Sequence, residues 1–279
     1  MEPRPRSFYI LAAFFSLYVL FLYGPTITIA ILSFQGPNGG LTFPMRGVSL
    51  NWFHELFKQQ AVGDIWGSFS RSLRLGLMVM VTTVVVSVMG GLAFRKKFAG
   101  SGVLFYLAIA GLVIPSILVS LGVGLFFSQA KLPVHWATSG FGAQLTWTLP
   151  FGLLVMFAVF NRFNPAYEEA ARDQGASPWQ TIRHVVLPII APSLMGVALF
   201  GFTLSYDEFA RTLLTSGSRN TLPLEIYGLT TNVTTPVIFA LGTLTTLFSF
   251  AVIGLFVLTV FILNRRRNRA GSDAGKGMV

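Results

Sequence analysis

Long apolar runs alternate with short polar and basic breaks along this chain. Phe8 to Phe34 continues for 27 residues without a charged side chain. At about 1.5 Å per residue, such a helix exceeds the roughly 30 Å hydrocarbon core of a bilayer. A first span is therefore predicted over about 8–34, with a bend near Gly24-Pro25, where proline removes a backbone donor. A secretory signal peptide also opens with positive charge, but its apolar core is only about 7–15 residues long. This run is too long for that, and no clear small-residue cleavage site follows it. Further runs predict spans over about 70–94, 103–128, 141–160, 189–210 and 237–263, the third of them broken at Pro115. Gln144, Thr146, Thr148 and Pro150 dilute the fourth, and polar groups inside a bundle face protein or a water-filled cavity rather than lipid. The pattern predicts an all-α membrane protein of six transmembrane helices, with residues 1–279 forming one transmembrane domain.

The connections differ in character. Gln35 to Phe69 is polar and contains Gly and Pro, but Trp52, Phe53, Leu56 and Phe57 within it recur at helical spacing. Two readings fit: a short helix lying on the membrane surface, or an apolar patch packed on neighbouring helices. Lys131–Ser139 and Thr212–Pro236 read as further loops.

Composition narrows the class. The chain is 53% hydrophobic and 11% charged, with a mean hydropathy of +0.67, which excludes an ordinary soluble domain. With no cysteine, disulfides and thiolate metal sites are impossible. The net charge of +10 does not form one patch for nucleic acid; the basic residues flank the apolar segments and report topology. With the N-terminus inside, the inner segments hold Arg4, Arg6, Arg95-Lys96-Lys97, Arg162, Arg172, Arg183, Arg265-Arg266-Arg267, Arg269 and Lys276. The outer segments hold the smaller remainder, Arg46, Lys58, Arg71, Arg74, Lys131, Arg211 and Arg219. Both termini, and a loop over about 161–188, are thereby expected in the cytoplasm.

That loop carries the longest run in the chain that is polar, charged and helix-forming at once, EEAARDQGASPWQTIRHVVLP from Glu168 to Pro188. Asn164 suits a helix N-cap and Pro165 the first helical position. Glu168 and Glu169 then fall where the helix dipole favours acids. Gly175 is placed to end this helix in a left-handed conformation, and Ser177 with Gln180 has capping-box spacing for a second helix. Ala170, Ala171 and Ala176 leave a low-relief surface on which a partner's groove could close. The plainer reading is a solvated loop with capping chemistry.

Here a family resemblance becomes specific. Glu169-Ala170-Ala171, three residues, Gly175, nine residues, Val185, one residue and Leu187-Pro188 resemble the EAA loop of ABC-importer permeases. The family pattern is EAA-x3-G-x9-I-x-LP, and Val185 in place of Ile is the single departure. The six-span layout, with this loop between the fourth and fifth spans, is similar to the type I importer permease fold. The resemblance implies a non-catalytic, multi-pass subunit of the bacterial inner membrane. Its partners would be a second permease, two cytoplasmic ABC ATPases and a periplasmic substrate-binding protein, with membrane lipid around it and no nucleic acid. No cofactor is implied in this chain; ATP and magnesium would sit on the ATPases. It further implies that Glu168, Glu169, Ala170, Ala171, Asp173, Gly175 and Ala176 couple to the ATPase, and that the spans work by alternating access.

A second resemblance concerns cargo. Ser205-Tyr206-Asp207-Glu208-Phe209 and Thr221-Leu222-Pro223-Leu224-Glu225-Ile226-Tyr227 look like the spermidine/putrescine-type branch. That branch is similar to permeases for other small charged solutes, including iron and aminophosphonates. On the residues themselves, Asp207 and Glu208 lie about 28 Å along the fifth helix from Pro188, by the helical rise. Intramembrane acids tend to mark ion or substrate paths. A carboxylate pair there would attract a polyamine, with Tyr206 and Trp147 adding cation–π contact. Alternatively Asp207 and Arg211, four apart on one helix face, form a structural ion pair. Should Arg71 and Arg74 line the path instead, an anionic substrate becomes the better fit.

Enzyme readings fail. No phosphate-binding G-x4-G-K-[ST] run occurs, since Gly271–Gly277 has the wrong spacing and no preceding strand. His54-Glu55 opens like a zinc-protease motif, but Lys58 stands where the second histidine belongs, and His54, His135 and His184 are scattered. An ion-driven secondary transporter, or a membrane scaffold without transport, are the rival classes.

Overall fold

The computed structural model of the chain describes residues 5–58, 63–96, 98–232 and 235–276. Arg4 and Lys97, used above for topology, lie outside the described residues. The first helix, α1, covers Arg6–Leu32 and runs through Pro25. A loop leads to the short α2, Asn51–Phe57, and α3 covers Ile65–Phe94. Next come α4, Ser101–Val113, and α5, Ser116–Gln129, which meet at 108°. The cause is Pro115, which disfavours helical dihedrals at its predecessor: Ile114 is extended, with φ −70° and ψ 128°. A π-helical turn, Trp136–Gly140, leads directly into α6, Phe141–Asn161.

Beyond α6 the chain forms α7, Ala166–Asp173, and α8, Pro178–Thr181. A second π-helical turn, Ile182–Val186, feeds α9, Leu187–Tyr206. The chain closes with α10, Leu222–Asn232, and α11, Val237–Lys276. Among the described residues, five helical segments are long and apolar enough to cross a membrane: Arg6–Leu32, Ile65–Phe94, Trp136–Asn161, Pro178–Tyr206 and Val237–Ile262. The bent α4–α5 pair makes a sixth if counted as one span.

One boundary departs from the sequence expectation in a way that bears on function. The fifth span was expected to continue to Ala210, yet α9 stops at Tyr206. Just beyond, the Glu208 carboxylate accepts the backbone N–H of Arg211 at 2.9 Å. A side chain that satisfies a nearby backbone donor offers the chain an alternative to the helix.

The chain divides into two compact units. In the unit of residues 1–64 and 226–250, Gln35 is fully buried and organises the loop after α1. Its Oε1 accepts the Arg46 N–H at 2.7 Å, and its Nε2 donates to the Gly40 carbonyl at 3.2 Å. On α2, Phe53 packs against Phe34 at 5.4 Å between ring centroids, and Leu56 is buried while Phe57 stays exposed.

In the unit of residues 65–225 and 251–279, α3 lies against both α6 and α9. Met156 and Phe160 from α6 meet Val186, Ile190 and Val197 in a buried cluster flanked by Val84, Val88 and Leu92 of α3. Thr83 donates to Thr148 across this interface at 3.0 Å, both side chains buried. Such hydroxyl pairs tie helices together where apolar burial no longer distinguishes protein from lipid.

Candidate functional site: the loop between α6 and α9 and the turn after α9

The loop is built by its own capping chemistry. Asn164 Oδ1 accepts the Ala166 N–H at 3.1 Å, but the N-cap of α7 is Pro165, not Asn164 as the sequence suggested, and Ala166 is the first helical residue. At the other end Gly175 adopts φ +83°. Its N–H reaches the Arg172 carbonyl at 2.8 Å, and the Ala176 N–H reaches the Ala171 carbonyl at 3.0 Å. This pair of bonds is the Schellman arrangement, which needs a left-handed residue and favours glycine. A capping box then starts α8: Ser177 Oγ accepts from Gln180 N at 3.4 Å, and Gln180 Oε1 accepts from Ser177 N at 2.8 Å.

The residues singled out on this loop face two ways. Glu169, Ala170, Asp173 and Gly175 are exposed, and Ala171 and Ala176 are half-buried. Glu168 is instead buried on the inner side of α7. One of its oxygens accepts from Arg95 Nη1, the other from Arg172 Nη2 at 3.3 Å. Arg95 follows directly after α3, and its guanidinium lies 5.4 Å from the ring centroids of both Phe160 and Phe163. A cleft of about 340 Å³ beside this pair is lined by Leu92, Lys96, Pro178, Thr181 and Ile182, among others. Sequence reading treated Arg95 only as a topology marker; its position at a span end, near a charged loop, was the available signal. It also passed over two exposed aromatics flanking the loop's acidic face, Tyr167 at 54% and Trp179 at 65% exposure.

The turn after α9 separates residues that looked alike in sequence. Arg211 is buried and pairs with Glu208 at 3.7 Å, not with Asp207. It also donates to Ser116 Oγ at 2.7 Å and Thr146 Oγ1 at 3.3 Å, and sits 4.5 Å over the Trp147 ring. Glu208 and Trp147 are thus occupied by one cation, which joins the start of α5, α6 and the turn after α9. The expected i,i+4 pair fails because Asp207 lies beyond the end of the helix. Asp207 is exposed and makes no ion pair among the described residues. Tyr206 is buried, stacked on Phe202 at 5.7 Å and edge-on to Phe69 at 6.4 Å. Of the alternative cationic candidates, Arg71 donates to the Asn220 carbonyl at 2.6 Å, and Arg74 is exposed.

Apolar helices of spanning length, two of them joined by a helical loop that presents acids and alanines outward, define a multi-span membrane protein. The chain belongs to the family described as binding-protein-dependent transport system inner membrane component, whose profile matches residues 83–269. Membership selects binding-protein-dependent transport over an ion-driven carrier or an inert scaffold. Among relatives, the chain is 28% identical over 258 residues to the spermidine/putrescine transport system permease protein PotC of Haemophilus influenzae, covering 89% of this chain and 95% of that protein. It is 27% identical over 232 residues to the putrescine transport system permease protein PotI of Escherichia coli, covering 80% and 81%. Its fold matches a chain of a bacterial ABC transporter involved in import of the acidic polysaccharide alginate. The TM-score there is 0.70 at 15% identity, over 92% of this chain and 94% of that one.

Proposed function

We propose that this chain is the transmembrane permease subunit of an ATP-driven, binding-protein-dependent importer whose cargo is a polyamine of the spermidine/putrescine class. In this reading the α6–α9 loop lies in the cytoplasm and its outward face, Glu169, Ala170, Asp173 and Gly175, docks into a cleft on an ABC ATPase. A second permease, a second ATPase and a periplasmic binding protein complete the assembly. ATP and magnesium are held by the ATPases, and this chain performs no hydrolysis. ATP-driven closure of the ATPase pair moves the loop and rocks the spans between inward-open and outward-open states.

The observation that carries the cargo assignment is the separation of Asp207 from the Glu208–Arg211 pair. Because Glu208 takes Arg211, Asp207 has no ion pair among the described residues and is placed to meet another cation. It stands at the end of a helix long enough to span the bilayer, and polyamines present several ammonium groups. The names of the PotC and PotI relatives point the same way. Tyr206 and Trp147 do not line this path in our reading: the first supports α9 and the second holds Arg211.

The test is uptake by the reconstituted complex with its cognate binding protein in liposomes. Labelled spermidine and putrescine should accumulate only with ATP inside the ATPase-accessible compartment, and 2-aminoethylphosphonate or ferric ion should not compete. Polyamine uptake that ignores ATP, or accumulation of the anion or iron alone, would overturn the assignment.

A further inference from the structure

The Arg95 contacts bring the loop helix α7 to the place where α3 and α6 end. The guanidinium emerges from the end of α3, lies against Phe160 at the end of α6 and Phe163 just beyond it, and pairs with Glu168 of α7. The Arg95 and Glu168 side chains are 24% and 12% exposed, so solvent screens this pair far less than a surface bridge. Phe160 belongs to the buried cluster that α3, α6 and α9 share, and Phe163 packs edge-on against Tyr167 of α7 at 6.2 Å. A planar guanidinium can stack on rings and pair with a carboxylate at once, which an ammonium cannot do as well.

We infer that Arg95 is a positioning residue for energy coupling, clamping α7 to the ends of α3 and α6 so that displacement of the loop moves these spans as one body. The inference rests on the proposed docking of α7 to an ATPase. It divides labour on adjacent acids: Glu168 faces inward and holds the helix to the spans, while Glu169 faces outward toward the partner. Arg172 occupies the second oxygen of Glu168 from within α7 itself, so among the described residues it is Arg95 that supplies the ion pair from α7 to the end of α3. Without it, α7 keeps its packing on α8, on the π-helical turn before α9 and on Phe163, and part of the motion delivered there is lost before it reaches α3.

Two measurements on the full complex test this. In proteoliposomes, Arg95→Gln and Glu168→Gln should each lower the solute carried per ATP hydrolysed by about tenfold, within the usual range of coupling between sites. ATPase co-purification should be retained. Arg95→Lys, which keeps the charge but not the planar stack, should fall between the parent and Arg95→Gln, and the exchange Arg95→Glu with Glu168→Arg should recover part of the ratio. The second measurement uses the absence of native cysteine in this chain. Spin labels on Ala93→Cys and Gln174→Cys should give a narrow distance distribution in the parent and a broad one with Arg95→Gln. An unchanged transport-to-hydrolysis ratio, or an equally narrow distribution in the variant, would overturn the clamp. Failure of any ATPase to co-purify with the parent chain would overturn the docking proposal instead, while the spin-label result still reports on the clamp.

Discussion

Replacing Gly175 by alanine, asparagine and aspartate separates the cost of shaping the loop from the cost of spoiling its surface. The residue sits at φ +83° between α7 and α8. Beyond the two adjacent residues, no atom of the described chain lies within 4 Å of the place a Cβ would take. A side chain here therefore meets no neighbour in this chain, and alanine pays only for the left-handed backbone. That cost is roughly 1–2 kcal/mol for an L-residue, equivalent to about a 5–30-fold loss in the population of the formed turn. Asparagine and aspartate visit this region far more readily than alanine, so both should hold the turn better. Aspartate adds a third carboxylate to a face that already exposes Glu169 and Asp173, and asparagine adds the same shape without charge. The assay is retention of the ATPase subunit by tagged permease across an ATPase titration, with membrane levels checked alongside. Gly175→Asn should bind nearest to the parent, Gly175→Ala should be weaker by about the turn cost, and Gly175→Asp should be weakest and abolish uptake while inserting normally. Equal binding by the asparagine and aspartate variants would refute a charge-sensitive docking face, and undiminished binding by the alanine variant would refute the need for the left-handed turn.

Other expectations follow from the turn after α9 and from helix packing. Asp207→Asn should depress polyamine uptake while leaving thermal stability and ATPase binding near the parent; unchanged uptake would remove Asp207 from the path. Glu208→Gln should destabilise the chain by about 3–5 kcal/mol, because it strips the counter-ion from a buried arginine; a shift in thermal unfolding in detergent measures this, and no shift would show the pair to be dispensable. On α4, a Cβ at Gly111 would stand 2.2 Å from the Thr146 carbonyl oxygen, a backbone atom that cannot rotate away. Gly111→Ala should therefore destabilise, by about 1–3 kcal/mol for overpacking less about 1 kcal/mol of helix propensity. Gly196→Ala on α9, with nothing within 4 Å, should gain that propensity; equal melting of the two variants would contradict the packing.

How much was legible in the sequence varies with the range of the forces involved. Apolar runs longer than a bilayer is thick must become helices, because no other local structure satisfies backbone groups in lipid. The break at Pro115, the left-handed Gly175 and the Ser177–Gln180 box are equally local, and each was readable from a few neighbouring residues. The spacing from Glu169 to Pro188 resembled the family's loop pattern, and the chain belongs to that family by its match over residues 83–269.

Side-chain partners were not readable in this way. Asp207 and Glu208 are chemically alike and adjacent, and a helical wheel assigns Arg211 to Asp207; ending α9 at Tyr206 rotates that assignment by one residue and gives Arg211 to Glu208. Trp147 looked available for a substrate until the fold brought a cation from the turn after α9 over its ring. Glu168 and Glu169 look interchangeable in the chain, yet α7's approach to the end of α3 buries the first against Arg95 and leaves the second exposed. Local chain geometry and the length of the apolar runs were determined by the sequence by itself. Which acid takes Arg211, and which basic residue pairs with the loop, were decided only by tertiary structure, because ion pairing depends on a few ångströms between side chains that the fold brings together.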